Sequence, residues 1–339
     1  MLNLDYSYCQ SDQKLRVERF LNEWHNEKKY IIAKTSGSTG EPKEITLKKS
    51  SMVLSARRTL NHFNCTPGSN ALLCLSPETI AGKMMIVRSI VGKLNLFVGD
   101  SSAKLNIPSN VTIDLCAMVP MQLMYILENT PSQLDTIRIN LIGGGPISSA
   151  AIDLLHSTGH LAYHTFGMTE TISHIALRSI GKLTEPHFTL LPDIEIEVLD
   201  GKLIINDHLL QSGPIYTNDL IVKIDATHFD WIGRADFVIL SGGKKFYAEE
   251  IEFNIQQIVT LPFFIAGVDD EHLGQRVVLY IESETPVSFK KEQFGAYLPS
   301  HQIPKEVIHI DSFVRTQSGK IDRICTIELS IQRVAEKIL

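Results

Sequence analysis

From residue 30 to residue 165 short apolar runs alternate with amphipathic ones. "YIIAK", "EITL", "ALLCL", "KLNLFV", "TIDLCAMV", "RINLI" and "HLAYH" read as strands. Between most of them the apolar residues recur at helical spacing: Met52, Val53, Ala56, Leu60 and Phe63, then about Ala81 to Val91, then from Pro120, then after Ser148. Ser50 or Ser51 is the expected cap of the first of these, and Pro120 suits a first helical turn. Strands that alternate with helices imply a mostly parallel sheet covered on both faces. In such a sheet, ligands collect beyond the carboxyl ends of the strands. The loops after "YIIAK", "RINLI" and "HLAYH" are such ends.

The flanks differ. Val17, Phe20, Leu21 and Trp24 fall at i, i+3, i+4 and i+7, so the chain is expected to open on an amphipathic helix. Near residue 190 the period changes. "IEIEVLDGKLIIND" alternates about Asp200-Gly201 and reads as a β-hairpin. The last hundred residues mix short strands with two expected helices. A charge and glycine signal at Gly233-Arg234-Ala235-Asp236 places a boundary between domains 1–233 and 234–339. A length of 339 residues suits two domains.

Several classes are disfavoured. A net charge of −6 argues against a general nucleic-acid binder, which needs a basic face. Five scattered cysteines without a C-x-x-C pair argue against a disulfide framework or zinc site, so a reducing cytoplasm is the simpler location. The opening residues lack the pattern of a signal peptide. The longest apolar stretch, Leu115 to Leu127, contains Pro120 and Gln122 and is too short to span a bilayer.

The first of the three strand-end loops is "TSGSTGEPKEI", Thr35 to Ile45. It is not a Walker loop, because Pro42 stands where the second glycine is required and Glu44 follows Lys43. Its chemistry still suits a polyphosphate. Gly37 and Gly40 let backbone N–H groups turn inward, Ser36, Ser38 and Thr39 add donors, and Lys43 adds a point charge. A plain surface loop between two strands is the competing reading.

Three further stretches decide between these: "YHTFGMTET" (Tyr163 to Thr171), "YTNDL … WIGRADFVILSGGKKFYAEEIE" (Tyr216 to Glu252) and "RTQSGKIDR" (Arg315 to Arg323). With Thr35 to Lys43 they resemble, in order and kind, the motifs of the acyl-adenylate-forming enzymes. These are the acyl-CoA ligases, peptide-synthetase adenylation domains and luciferases. The resemblance runs from about residue 30 to 325. It implies that a carboxylate attacks the α-phosphate of ATP, releasing pyrophosphate, and that a thiol, usually coenzyme A, then displaces AMP. It also implies a large α/β domain followed by a small, mobile α+β domain.

Carried over position by position, the resemblance implies the following roles. Thr35, Ser36, Gly37, Ser38, Thr39, Gly40 and Lys43 hold the β- and γ-phosphates. Gly143, Gly144 and Gly145 pass the adenine and acyl group, and Phe166 stacks on adenine where tyrosine is common. Thr169 bonds a phosphate oxygen, and Glu170 holds Mg²⁺, a hard cation that binds with phosphates. Asp219 and Arg234 bind the ribose hydroxyls, although Asn218 stands where glycine is usual. Asp236 is the hinge, and Gly242 and Gly243 line the CoA side, with Leu240 replacing a common lysine. Lys320 is the catalytic cation between carboxylate and α-phosphate, while Arg315 and Arg323 are read as structural.

"SPETIAGKMMIVRSI" bears on the acid. Thr79 stands where a histidine is usual, with Gly82 three residues on. Arg88 matches an arginine that faces the substrate in o-succinylbenzoate–CoA ligases of menaquinone synthesis, the best overall match, and Lys83 lies on the same helix. A solvated helix charge is the competing reading of Arg88. Another aryl or acyl acid, loading of a carrier protein in place of CoA, and a non-catalytic remnant remain as rivals. Only 34 residues precede the phosphate loop, so most of the family's first subdomain is expected to be missing. That leaves surface which is either exposed or buried in a homodimer.

Overall fold

Six strands run parallel in the first half of the main sheet, and six more continue it antiparallel. The computed structural model describes residues 2–34, 43–108, 111–210, 213–316 and 320–336. In chain order the first elements are β1 (Asn3–Tyr8), α1 (Ser11–His25), β2 (Tyr30–Lys34), β3 (Glu44–Lys48), α2 (Lys49–His62), β4 (Asn70–Leu73), α3 (Ile80–Gly92), β5 (Asn95–Gly99), β6 (Leu115–Met118), α4 (Pro120–Asn129), β7 (Asn140–Ile142), α5 (Ser149–Ser157) and β8 (Leu161–Gly167). Then follow β9 (His174–Gly181), β10 (Phe188–Leu190), β11 (Ile194–Leu199), β12 (Lys202–Asp207), β13 (Ile215–Lys223) and β14 (His228–Arg234). The last are β15 (Val238–Ser241), β16 (Lys244–Tyr247), α6 (Ala248–Ile255), β17 (Phe263–Asp270), β18 (Gly274–Glu282), α7 (Lys291–Gly295), β19 (Glu306–Ile310) and α8 (Arg323–Glu336).

The main sheet has the order β1-β5-β4-β6-β7-β8-β9-β10-β14-β13-β12-β11. Its parallel half is the strand–helix alternation of the sequence, and both faces are covered. Ala71, Leu73, Leu96, Val98 and Leu141 belong to one core with α2 and α3, while Leu72, Cys116, Met118 and Ile142 belong to the other with α4 and α5. Neighbouring residues on one strand therefore feed opposite cores, as the pleat requires. The sheet is less parallel than the alternation alone suggested. Among the described residues no long crossover helix intervenes between β8 and β14, and connections that short join strands antiparallel.

Three details depart from the sequence reading. The chain opens on β1, which lies parallel to β5 at the sheet edge, before the expected helix α1. Ser50 and Ser51 lie inside α2, whose N-cap is Lys48 and carries no side-chain cap. Among the described residues the final hundred hold three helices, one of only five residues. There β15, β16, β17, β18 and β19 form a separate five-stranded sheet with its own core, including Phe246, Ile251, Ile265 and Leu279. β14 ends at Arg234, and this second sheet begins at Val238. β2 and β3 form a two-stranded sheet, and Thr35 to Gly40, between them, lie outside the described residues; Lys43 lies just before β3.

Candidate active site

Adjacent strand ends assemble the first group. Ile142 of β7 pairs with His164 of β8, so Gly143, Gly144 and Gly145 leave the sheet beside the end of β8, where Phe166 stands. A Cβ on Gly143 would lie 2.4 Å from the Thr165 hydroxyl oxygen, so a side chain there would force the Thr165 hydroxyl to move. Phe166 is half-buried and packs edge-on against Phe229 and Phe188. Beneath the glycines, His164 Nε2 lies 3.3 Å from the Gly145 carbonyl, and Arg178 Nη2 lies 3.3 Å from His164 Nδ1. Burial, then the charge of Arg178, pushes the His164 pKa down to about 3.

The turn from β8 to β9 presents Thr169, which is buried, and Glu170, which is exposed. Its shape is fixed by the Thr171 hydroxyl, which accepts from the Met168 N–H at 2.9 Å and lies 2.7 Å from the Ser173 carbonyl. Ile172 adopts φ 66°, a left-handed conformation that a β-branched residue enters only under strain. One consequence is that Ser173 and His174 turn back toward α2 and α3, where they meet Thr59 and Arg88. Among the described residues no group of three or more His, Cys, Asp or Glu is placed to hold a metal. An exposed carboxylate beside a hydroxyl still fits Mg²⁺, which keeps waters and phosphate oxygens as most of its ligands.

A second group forms where β13 and β14 pair. Asp219 and Arg234 are direct cross-strand partners. Asp219 is buried, accepts from Trp231 Nε1 at 2.9 Å and lies 3.9 Å from an Arg234 guanidinium nitrogen. Burial raises its pKa, while Trp231, Arg234 and Lys320 oppose that shift. Arg234 Nε donates to Asp236 at 3.0 Å, and Asn218 donates to the other Asp236 oxygen at 3.0 Å. The departure from glycine at position 218 thus adds a hydrogen bond across the segment that joins the two sheets. The Lys320 side chain is exposed, yet nearby protein and the Arg234 charge lower its pKa, with Asp219 pulling it back up. Solvent contact screens these influences. Arg315 and Arg323 are structural, bound to Glu282 and Glu252.

Helix α3 separates its four expected contributors. The Thr79 hydroxyl caps α3, accepting from the Gly82 N–H at 3.2 Å and donating to the Ser76 carbonyl at 2.8 Å. Gly82 is required by packing, since a Cβ there would sit 2.1 Å from the Ser76 carbonyl oxygen. Lys83 places its ammonium 4.9 Å from the centre of the Phe20 ring, and Glu23 and Glu78 act on its charge. Five residues along a helix turn a side chain well away from its predecessor, so Lys83 faces α1 and does not join Arg88. These three therefore serve the helix and its packing in this structure.

Arg88 is different. It is 3% exposed, so it is no solvated helix charge. It donates to Ser173 Oγ and, at 3.6 Å, to Met85 Sδ, while its Nε has no partner. No carboxylate among the described residues pairs with it, and burial lowers its pKa to about 10. Gly242 and Gly243 form the exposed two-residue tip of the β15–β16 hairpin. Sequence reasoning left Trp231, Ser173, His174 and Thr59 unassigned. Trp231 sits inside a quoted motif and Ser173 lies two residues beyond another, but only the fold brings in Thr59.

Strand-end glycines, a threonine–glutamate turn and an Asp–Arg pair close to a lysine fit an AMP-forming acid–thiol ligase. The sequence profile of the AMP-binding enzyme family matches residues 9–207, more than half of the chain, and the chain belongs to that family. It is similar to 2-succinylbenzoate–CoA ligases from Geobacillus sp. (strain WCH70), 26% identical, and Enterococcus faecalis, 24% identical. The matches cover 90% and 86% of this chain but 70% and 67% of those proteins. An acyl-CoA synthetase (AMP-forming)/AMP-acid ligase II-like protein from Dyadobacter fermentans is 32% identical, with a TM-score of 0.61 over 94% of this chain and 95% of that one. O-succinylbenzoate coenzyme A synthetase from Bacillus subtilis, in complex with ATP and magnesium, shares the fold at a TM-score of 0.76 and 21% identity, over 87% and 69% of the two chains.

Proposed function

We propose that the chain joins o-succinylbenzoate to coenzyme A at the expense of ATP, a step of menaquinone synthesis. One carboxylate oxygen of the acid attacks the α-phosphorus, and the bond to pyrophosphate breaks. The CoA thiol then attacks the acyl carbon, loses its proton to solvent, and AMP leaves with the acyl C–O electrons. The observation that carries this reading is Arg88: a buried guanidinium without a carboxylate partner among the described residues, tied through Ser173 to the turn that bears Thr169 and Glu170. A second carboxylate on the substrate supplies the missing charge, and arginine binds it bidentately. The names of the curated relatives support the same acid.

In this reading Thr35 to Gly40 and Lys43 hold the terminal phosphates, Phe166 and Gly143 to Gly145 flank the adenine, and Asp219 with Arg234 binds the ribose. Lys320 bridges the attacking carboxylate and the α-phosphate and stabilises the charge that develops between them. Mg²⁺, held by Glu170, supplies charge neutralisation on the phosphates when bound. Residues 1–233 and 234–339 act as two units that turn about Asp236, bringing Gly242 and Gly243 toward the CoA path for the second half-reaction. The chain acts in the cytoplasm. Pyrophosphate release measured across candidate acids, with CoA and without a carrier protein, tests the proposal. Turnover is expected with o-succinylbenzoate. Turnover only with a monocarboxylic aryl acid contradicts the substrate, and AMP release that needs a carrier protein contradicts CoA as acceptor.

A further inference from the structure

Arg88 is held by a chain of hydrogen bonds whose direction is set at both ends. A guanidinium only donates, so Ser173 Oγ accepts from Arg88 Nη2. At the far end a backbone carbonyl only accepts, so the Thr59 hydroxyl, 3.4 Å from the Ser55 carbonyl, donates to it. His174 lies between, with Nε2 at 3.1 Å from Thr59 Oγ1 and Nδ1 at 3.4 Å from Ser173 Oγ. Thr59 has spent its proton, so it accepts from His174 Nε2–H. The bare Nδ1 then accepts the Ser173 proton, which leaves the Ser173 lone pairs for Arg88. A single tautomer of His174 satisfies every member of the chain.

The surroundings keep His174 in that neutral form. It is 9% exposed, and the charged groups that act on it are Arg58 and His62 of α2 and Arg88 of α3. Burial, then the charge of Arg88, with lesser effects of His62 and Arg58, holds its pKa well below the ordinary histidine value. A protonated ring would place a second donor against Ser173, take one of its two lone pairs and leave its hydroxyl proton without the Nδ1 acceptor that holds it. The strained Ile172 delivers both residues to this place.

We infer that His174 is a positioning residue for the acid pocket: through Ser173 it fixes the Arg88 guanidinium so that its remaining N–H groups face the substrate's second carboxylate. The inference rests on the proposed substrate class for its kinetic consequence but not for its geometry. His174→Phe keeps the ring volume and removes both nitrogens. His174→Asn returns an acceptor at the Nδ1 position.

The experiment has two arms on the whole chain. In the first, KM and kcat are measured for o-succinylbenzoate and for an aryl monocarboxylic acid. His174→Phe is expected to raise the dicarboxylate KM about tenfold, the worth of one well-placed hydrogen bond. The monocarboxylate KM and both kcat values stay within about twofold, and His174→Asn recovers most of the loss. An unchanged dicarboxylate KM, or an equal rise for both acids, overturns the inference. In the second arm, nitrogen-15 NMR of the histidine rings reads the tautomer without any substrate. A wild-type His174 protonated at Nε2 only, with an Nδ1 signal that moves in Ser173→Ala and in Arg88→Met, is the expected result. Protonation at Nδ1, or indifference to both variants, overturns it. A wild type that ignores dicarboxylates but passes the second arm refutes the proposed substrate and leaves the positioning role standing.

Discussion

Two arginines on consecutive helices are both buried, and their surroundings could hardly differ more. Arg58 of α2, 7% exposed, donates twice to Asp207 of β12, at 2.8 Å and 2.7 Å. Arg88 of α3, 3% exposed, has only a serine and a thioether; the Nε of each arginine is unpartnered, so the difference lies in the carboxylate. The first has its counter-charge built into the fold and ties the helix layer to the antiparallel half of the sheet. The second is a cation whose solvation has been removed and not replaced by an acid of the chain. Burying an uncompensated charge costs free energy, and such a cost is sensible where a ligand supplies the compensation.

The largest effect should come from breaking the paired member. Arg58→Met leaves the Asp207 carboxylate buried without a cation. It is expected to lower stability by about 3–5 kcal/mol, read by urea denaturation, because half of a buried pair is worse than none. Lys320, an exposed cation beside Asp219, marks a third situation, a charge offered to a ligand from the surface. Lys320→Ala should cut adenylate formation by roughly 10²–10³-fold, by analogy with loss of one transition-state donor. Thioester formation from pre-made adenylate should stay mostly intact, and equal loss of both half-reactions excludes this role. Arg88→Met should do the opposite of Arg58→Met in the unliganded protein, leaving stability unchanged or raising it by about 1 kcal/mol.

A further effect is a pH dependence. The folded pKa of His164, about 3, lies below the unfolded value of 6.5. Between these values the unfolded chain binds more protons, so stability is fully present above pH 6.5 and falls as the pH drops toward 3. The slope for one such group approaches about 1.4 kcal/mol per pH unit. His164→Gln should therefore flatten the decline of Tm between pH 6.5 and 5; an unchanged profile means that the ring is not held neutral.

The parallel half of the fold was legible because each strand–helix pair carries its own periodicity, and the helices after Pro120 and Ser148 begin where those residues stand. β1 was not, because "NLDYSY" sits at a sheet edge and mixes polar side chains with half-buried ones. The run "HIALRSIG" is buried along almost its whole length and shows no alternation to mark it as β9. Asp219, Arg234 and Lys320 were singled out by the kind and order of their motifs, and the structure places the three near one another. In helix α3 the motif resemblance placed Thr79, Gly82 and Lys83 with Arg88, and the structure gives the first three local tasks besides: capping, close packing and a contact with Phe20. Thr59 and His174 are 115 residues apart and touch only through the tertiary fold.

The central claim is that Arg88 awaits a second carboxylate, and its most direct test is acid selectivity. KM would be measured by pyrophosphate release for o-succinylbenzoate and for an aryl monocarboxylic acid, in the wild type and in Arg88→Met. Loss of a buried charge-assisted pair should raise the dicarboxylate KM by about 50-fold or more and change the monocarboxylate KM little. An equal change for the two acids would contradict the account.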